Sequence, residues 1–291
     1  MSQVSSRSAF AIVVCLLIAA AVVLGVSQGS ARYNNIPVVA ICAFIAFAIQ
    51  WVAFIPAYLR QTEHFFDLTG SVTYLSVIVT ALLLAGSSDP RSLLLAAMVF
   101  IWAIRLGTFL FVRISKDGSD GRFDAIKPNA LRFLLTWTLQ GLWVFLTLAA
   151  ALTAICSLER TPLGWVAAIG VSLWLFGFLI EAVSDHQKRV HREQPDNRGR
   201  FIQTGLWGWS RHPNYFGEIV LWIGVAMVAA PNLSGWQWVA MISPLFVFVL
   251  LTRVSGIPLL EKRSDEKWGQ DPAYVAYKDR TPVLMLRPPR G

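Results

Sequence analysis

Eight long apolar runs constrain the fold of this chain more than any other feature. They cover Ala9–Val26, Ile36–Leu59, Ser71–Ala85, Ser92–Val112, Phe133–Cys156, Leu163–Ala182, Tyr215–Ala230 and Trp236–Val254. Most of them reach the roughly 20 residues that a helix needs to cross a bilayer, and the third and seventh are shorter. Backbone groups in lipid must be hydrogen-bonded within their own segment, so we expect helices and not strands. The sequence predicts an all-α, polytopic transmembrane bundle of seven to eight helices.

Composition supports this class, since 55% of the residues are hydrophobic and only 14% are charged. A soluble domain carries about 25% charged residues, so a soluble enzyme, a disordered chain and a fibrous protein are all disfavoured. The three cysteines, Cys15, Cys42 and Cys156, lie inside apolar runs, where we expect them to be small core residues. The histidines and cysteines show no metal-ligand spacing, and we expect no metal.

Positive charge is distributed unequally along the chain, whose net charge is +8. If all eight runs span the membrane from a cytoplasmic N-terminus, 21 of the 25 Lys and Arg residues lie on the cytoplasmic side. This bias predicts an integral membrane protein with both termini in the cytoplasm, and it explains the basicity without a nucleic-acid partner. Arg7 before the first run also suits a signal peptide, but we expect residues 1–30 to form a retained accessory helix.

The chain has no internal repeat, low-complexity segment or composition shift, so we expect one membrane-embedded domain over residues 1–291. The polar segments Asp117–Arg132, Val183–Pro213 and Gly256–Gly291 contain scattered Pro and Gly residues. We expect them to form a cytoplasmic loop layer that covers the bundle.

At the end of the sixth run and just after it, charged residues recur at a spacing that places them on one face of a helix. Glu181, Asp185, Lys188 or Arg189, and Arg192 recur at i, i+4, i+7/8 and i+11. Ionisable groups at the membrane usually face a bundle interior or a water-filled cavity. The alternative is a helix end with ordinary ion pairs.

The segment 205–218, GLWGWSRHPNYFGE, precedes and begins the seventh run. Pro213 suits the first turn of a helix, which places Asn214 and Glu218 at i and i+4. A buried carboxylate at Glu218 needs hydrogen bonds or a cation. Either an amide-bearing or cationic ligand or the nearby Arg211 could supply them.

A third polar group lies where the chain enters the third run. Asp67, Gly70 and Tyr74 share one helical face, and Trp102 and Arg105 lie near the same end of the fourth run. A carboxylic acid in an apolar site can donate a proton, so Asp67 is a candidate acid. The competing interpretation is that Asp67 caps the third helix.

Residues 185–218 and the tail 256–278 resemble the C-terminal region of the steroid 5α-reductase family, most closely its bacterial DUF1295-type members. The resemblance implies an NADPH-dependent reductase, in the bacterial inner membrane, of a carbon–carbon double bond conjugated to a ketone. Its substrate would be lipophilic and enter from the bilayer, with membrane lipid around the protein and no obligate protein partner. Residues 183–291 would form the cofactor-binding part.

The resemblance also implies site residues. The residues that would hold NADPH are Asp185, Arg189, Arg192, Arg211, Asn214, Tyr215, Glu218, Arg253 and Arg263. In the animal enzymes a Glu and a Tyr polarise the substrate carbonyl. Asp67 lies near the first of these positions and Trp102 near the second, with Glu63 or Tyr74 as alternative donors.

The sequence also fits two other functions. The Arg-His-Pro-x-Tyr run at 211–215 also occurs in isoprenylcysteine carboxyl methyltransferases, which implies a membrane methyltransferase that uses S-adenosylmethionine. The cations between Lys188 and Arg211 favour a polyphosphate cofactor over that zwitterion. A transporter or scaffold would place paired charges at mid-depth, whereas these lie near the predicted cytoplasmic helix ends.

Overall fold

A computed structural model describes residues 3–288 of the 291-residue chain. Its α-helices are α1 Gln3–Val26, α2 Val38–Leu59, α3 Phe66–Ala85, α4 Pro90–Asp117, α5 Ala130–Cys156, α6 Trp165–Glu193, α7 Pro213–Ala229, α8 Ile242–Val249, α9 Ile257–Trp268 and α10 Pro272–Arg280. Among residues 3–288, eight helical segments are long and apolar enough to cross a membrane. This confirms the predicted all-α transmembrane bundle and fits an integral membrane protein.

Shorter helical turns connect these elements. They are the 3-10 turns Pro195–Asn197, Gly205–Gly208, Ala230–Asn232 and Gly235–Met241, and the π turn Leu250–Val254. The eighth apolar run is therefore interrupted, because a 3-10 turn, α8 and a π turn replace the single predicted helix. Pro213 is the first residue of α7, as predicted.

Several helices extend beyond their predicted ends into polar sequence. Helix α3 begins at Phe66, five residues before the third run, and α6 continues to Glu193. The N-cap of α3 is Phe65, and Asp67 lies in the first turn. The interpretation of Asp67 as an N-cap is therefore wrong; its carboxylate contacts Arg113.

A two-stranded antiparallel hairpin, β1 Arg32–Tyr33 and β2 Ile36–Pro37, connects α1 to α2. Its turn residues Asn34 and Asn35 have φ of 47° and 64°. Asn tolerates this left-handed conformation, which suits a tight hairpin turn. The expectation of helix is wrong at Ile36 and Pro37, which belong to the hairpin, while Arg32 and Tyr33 lie outside the predicted runs.

The chain divides into two compact units. The first unit comprises residues 1–164 and 228–243, and the second comprises residues 165–227 and 244–291. The prediction of one domain over residues 1–291 stays a prediction.

Helix α5 forms the centre of the first unit. Every residue from Val144 to Cys156 is buried, and α5 packs on α1, α2, α3 and α4. A helix that is apolar on all sides is typical of such a central position. Cys15, Cys42 and Cys156 are free and buried, which confirms their assignment to the core.

Glycines set the distance between α6 and α7 in the second unit. A Cβ at Gly177 would lie 2.5 Å from the carbonyl oxygen of Gly217, and one at Gly217 would lie 2.5 Å from that of Gly177. Gly224 is equally close to Gly170. Two helices can approach this closely only where side chains are absent, so these four glycines fix how α6 and α7 align.

Candidate functional site

The glycine contact brings the polar ends of α6 and α7 together. Asn214 Nδ2 donates a hydrogen bond to Asp185 Oδ1 over 3.2 Å. Glu181, Asp185 and Glu218 are buried, with exposures of 2%, 6% and 7%. Asn214 Oδ1 is buried and accepts no hydrogen bond from any residue between 3 and 288. The site thus combines three buried carboxyl groups with one open amide acceptor.

The 3-10 turn Gly205–Gly208 is hydrogen-bonded to α6 through an indole N–H and a backbone N–H. Trp207 Nε1 donates to the carbonyl oxygen of Ser184 over 3.0 Å, and the Leu206 N–H donates to Gln187 Oε1 over 3.0 Å. Lys188 Nζ lies 4.4 Å from the centre of the Trp207 ring. Tyr277 OH donates to the Trp207 carbonyl over 2.8 Å, which joins α10 to the same turn.

The carboxylate of Glu261 on α9 contacts three basic side chains. It lies 2.8 Å from His212 Nε2, 3.3 Å from Arg211 and 3.8 Å from Lys278. Arg211 therefore pairs with Glu261 and not with Glu218, the partner considered from the sequence.

His212 is held as a neutral donor in this group. Burial, together with the nearby Lys188 and Arg211 charges, lowers the pKa of His212 below its usual value although the Glu261 carboxylate raises it. The neutral ring donates from Nε2 to Glu261 and stacks on Tyr215 at 5.7 Å between ring centres. Its Nδ1 is buried, and no residue within the described part of the chain donates to it.

The remaining predicted cofactor residues are exposed arginines. Arg192 ends α6, Arg253 lies in the π turn, and Arg263 lies on α9. The structure gives these three no carboxylate partner among residues 3–288. Arg189 contacts His186 Nδ1 at 3.0 Å. The same residues contain no group of three or more His, Cys, Asp or Glu side chains that could hold a metal.

The four predicted catalytic residues lie in the first unit. Asp67 Oδ2 is 3.4 Å from an Arg113 guanidinium nitrogen. Tyr74 and Trp102 are both buried, and their rings meet edge to face at 5.1 Å. The structure thus pairs Tyr74 of α3 with Trp102 of α4.

Glu63 serves as an anchor for the segment between α4 and α5. Its carboxylate accepts from Lys127 Nζ over 2.6 Å and from the Asp120 N–H over 2.8 Å. Burial raises the pKa of Glu63, but these two hydrogen bonds, a further one from its own backbone and the Lys127 charge together hold the pKa below its usual range. Glu63 is therefore ionised at neutral pH.

Sequence reasoning missed Glu261, Gln187, Trp207 and the glycine contact. A signal for the last was present, because Gly170 and Gly177, and likewise Gly217 and Gly224, are seven residues apart and so share a helical face. No comparable pattern marks Glu261, whose contacts depend on how α9 folds back.

Most of the chain is similar to a known protein family. The family described as "Protein of unknown function (DUF1295)" matches residues 53–281. An uncharacterized protein of Schizosaccharomyces pombe is 24% identical over 225 residues, which cover 66% of this chain and 62% of the relative. No solved structure matches the chain.

Mammalian steroid enzymes match a shorter part. The 3-oxo-5-alpha-steroid 4-dehydrogenase 1 of Bos taurus is 38% identical over 85 residues, 29% of this chain and 31% of the relative. The Homo sapiens protein of that name is 41% identical over 61 residues, 21% of this chain and 24% of the relative. The chain thus matches less than two thirds of the length of each of these relatives.

Proposed function

The chain belongs to the DUF1295 family and resembles steroid 5α-reductases, and from this premise we propose that it is an integral membrane reductase that uses NADPH. The steroid relatives are named for introducing a double bond at position 4 of a 3-oxo steroid. The reverse reaction saturates a carbon–carbon bond conjugated to a ketone. The proposed substrate is a lipophilic, steroid-like enone that enters from the bilayer.

The observation that carries this proposal is the open acceptor on Asn214. Asn214 Nδ2 already donates a hydrogen bond to Asp185, while the buried Asn214 Oδ1 accepts none from residues 3–288. A buried acceptor without a donor is unfavourable, so it favours a ligand that brings an N–H group. The nicotinamide carboxamide has such a group, and bound NADPH would supply the hydride.

Exposed cations near the helix ends that we expect to be cytoplasmic suit the rest of that cofactor. Arg192, Arg253 and Arg263 have no carboxylate partner within the described chain, and arginine binds phosphate oxygens in a bidentate manner. We assign them, with Arg189, to the diphosphate and 2′-phosphate. Arg211 would contribute mainly by orienting Glu261, which it already contacts.

Polarisation of the substrate carbonyl requires a hydrogen-bond donor. Glu63 is ionised and held by Lys127, so it offers no proton. Tyr74 carries a hydroxyl group, and its ring packs edge to face on Trp102. We assign the donor role to Tyr74, with Asp67 as the alternative, because a hydroxyl aimed at the carbonyl oxygen stabilises the developing enolate.

Cofactor binding to the detergent-purified full chain tests the proposal. We expect NADPH, and not S-adenosylmethionine, to raise the thermal unfolding temperature. Asn214→Ala should weaken NADPH binding about tenfold, the equivalent of one buried hydrogen bond. Asn197→Ala, which changes a half-buried asparagine of the same unit outside the proposed site, serves as the matched control.

Reduction of an enone substrate tests the proposed reaction itself. A 4-ene-3-oxo steroid incubated with NADPH should gain two hydrogens by mass spectrometry, and Tyr74→Phe should lower this rate at least about 100-fold with NADPH affinity retained. Tyr58→Phe, a tyrosine stacked on Phe54, is the control. Stabilisation by S-adenosylmethionine alone would contradict the reductase and favour a methyltransferase.

A further inference from the structure

Two arginines from different helices line one open surface cavity of the first unit. The cavity has a volume of about 410 Å³ and is lined by Arg7 and Ser8 of α1 and by Arg132 and Leu135 of α5. Helices α1 and α5 pack together and both have membrane-spanning length. Each arginine lies within the first two turns of its helix, so the cavity lies at the end of two spans, at the level of lipid headgroups.

The charges in this cavity favour an anion. Arg132 donates one hydrogen bond to the Ala125 carbonyl over 2.9 Å. Across residues 3–288, neither Arg7 nor Arg132 has a carboxylate partner. Like charges that share a cavity repel, and a phosphodiester anion between them weakens the repulsion while its oxygens accept hydrogen bonds from both guanidinium groups.

Below each arginine, the helix surface is apolar. Phe10 and Leu17 follow Arg7 on α1 and are 71% and 63% exposed. Leu135 and Leu139 follow Arg132 at i+3 and i+7 on α5. Because residues at these spacings share a helical face, each cation stands above an apolar stripe that faces the bilayer.

We propose that Arg7 and Arg132 bind the headgroup phosphate of an anionic phospholipid, whose acyl chains lie along α1 and α5. The apolar stripes select a lipid over free phosphate, because only a lipid covers both the cations and the exposed side chains. The site gives α1 a role in lipid binding that is independent of the proposed reaction.

Native mass spectrometry of the detergent-solubilised full chain tests this site. Phosphatidylglycerol should bind with a higher affinity than phosphatidylcholine. The double variant Arg7→Ala/Arg132→Ala should bind phosphatidylglycerol about 30-fold more weakly, because two cations near the headgroup are removed. Arg32→Ala is the matched control, since Arg32 is an exposed arginine just beyond the opposite end of α1.

Two further measurements distinguish a lipid site from a site for free phosphate and from a folding defect. Inorganic phosphate at the same concentration should not displace the lipid. The charge-retaining variant Arg7→Lys/Arg132→Lys should keep most of the affinity for phosphatidylglycerol, which tests the site even if the alanine variant folds poorly. Equal binding of the two lipids, full displacement by inorganic phosphate, or unchanged affinity in a folded alanine variant would each overturn the proposal.

Discussion

At the scale of single residues, Glu63 shows how a buried carboxylate can organise a polar connection. It binds Lys127 and the Asp120 N–H, both in the segment between α4 and α5. In that same segment Phe123 packs edge-on against Phe66 and Phe133. A charged anchor and an aromatic cluster therefore hold the connection to the start of α3.

We expect Glu63→Gln to lower the stability of the detergent-solubilised protein by about 2 kcal/mol, the contribution of hydrogen bonds to a charged group. The folded protein lowers the pKa of Glu63 below 4.5, so the unfolded chain binds the proton more tightly. The stabilisation is complete above pH 4.5 and is lost as the pH falls through the lower, folded pKa. Thermal unfolding between pH 3 and 7 measures it.

The difference between wild type and Glu63→Gln should thus shrink at acidic pH. Glu159→Gln, a change in a loop glutamate, provides the control and should show no such convergence. A difference that stays constant down to pH 3 would show that the lost stability comes from packing and not from the ionised carboxylate.

At the scale of elements, the glycine contact between α6 and α7 determines the candidate site. We expect Gly177→Ala to destabilise the protein by about 1–3 kcal/mol, because the new Cβ would lie 2.5 Å from backbone atoms of Gly217 and Leu221. The two helices would have to separate, which would also displace Asp185 from Asn214. Unfolding temperature and NADPH affinity should therefore fall together.

Gly164→Ala is the matched control for this change. A Cβ at Gly164 meets no described atom within 4 Å. It should leave both measurements unchanged. A Gly177→Ala protein with normal NADPH affinity would show that the proposed site does not depend on this helix contact.

At the scale of the whole molecule, the charge bias predicts which loops face the cytoplasm. We expect a membrane-impermeant thiol reagent to label Leu158→Cys in intact cells, and to label Ser119→Cys and Gln270→Cys only after permeabilisation. All three positions are exposed. The native cysteines are buried and contribute little background. Labelling of Gln270→Cys in intact cells would contradict a cytoplasmic C-terminal segment.

Helix positions were predictable because they depend on local properties. The length of each apolar run fixes a span, and this held for all eight segments. Helix ends were less predictable, since Asp67 and the residues after Ala182 are polar but still helical. The break near Leu250–Val254 left no clear sign in an otherwise apolar run.

The sequence by itself determined the fold class and the spans and predicted part of the candidate site, because hydropathy, charge bias and motif spacing are all read along the chain. The tertiary structure alone decided which of those residues meet. Asn214 reaches Asp185 across 29 positions, and His212 reaches Glu261 across 49. The first contact depends on how closely α6 and α7 approach, which their facing glycines allow, and the second depends on where α9 packs.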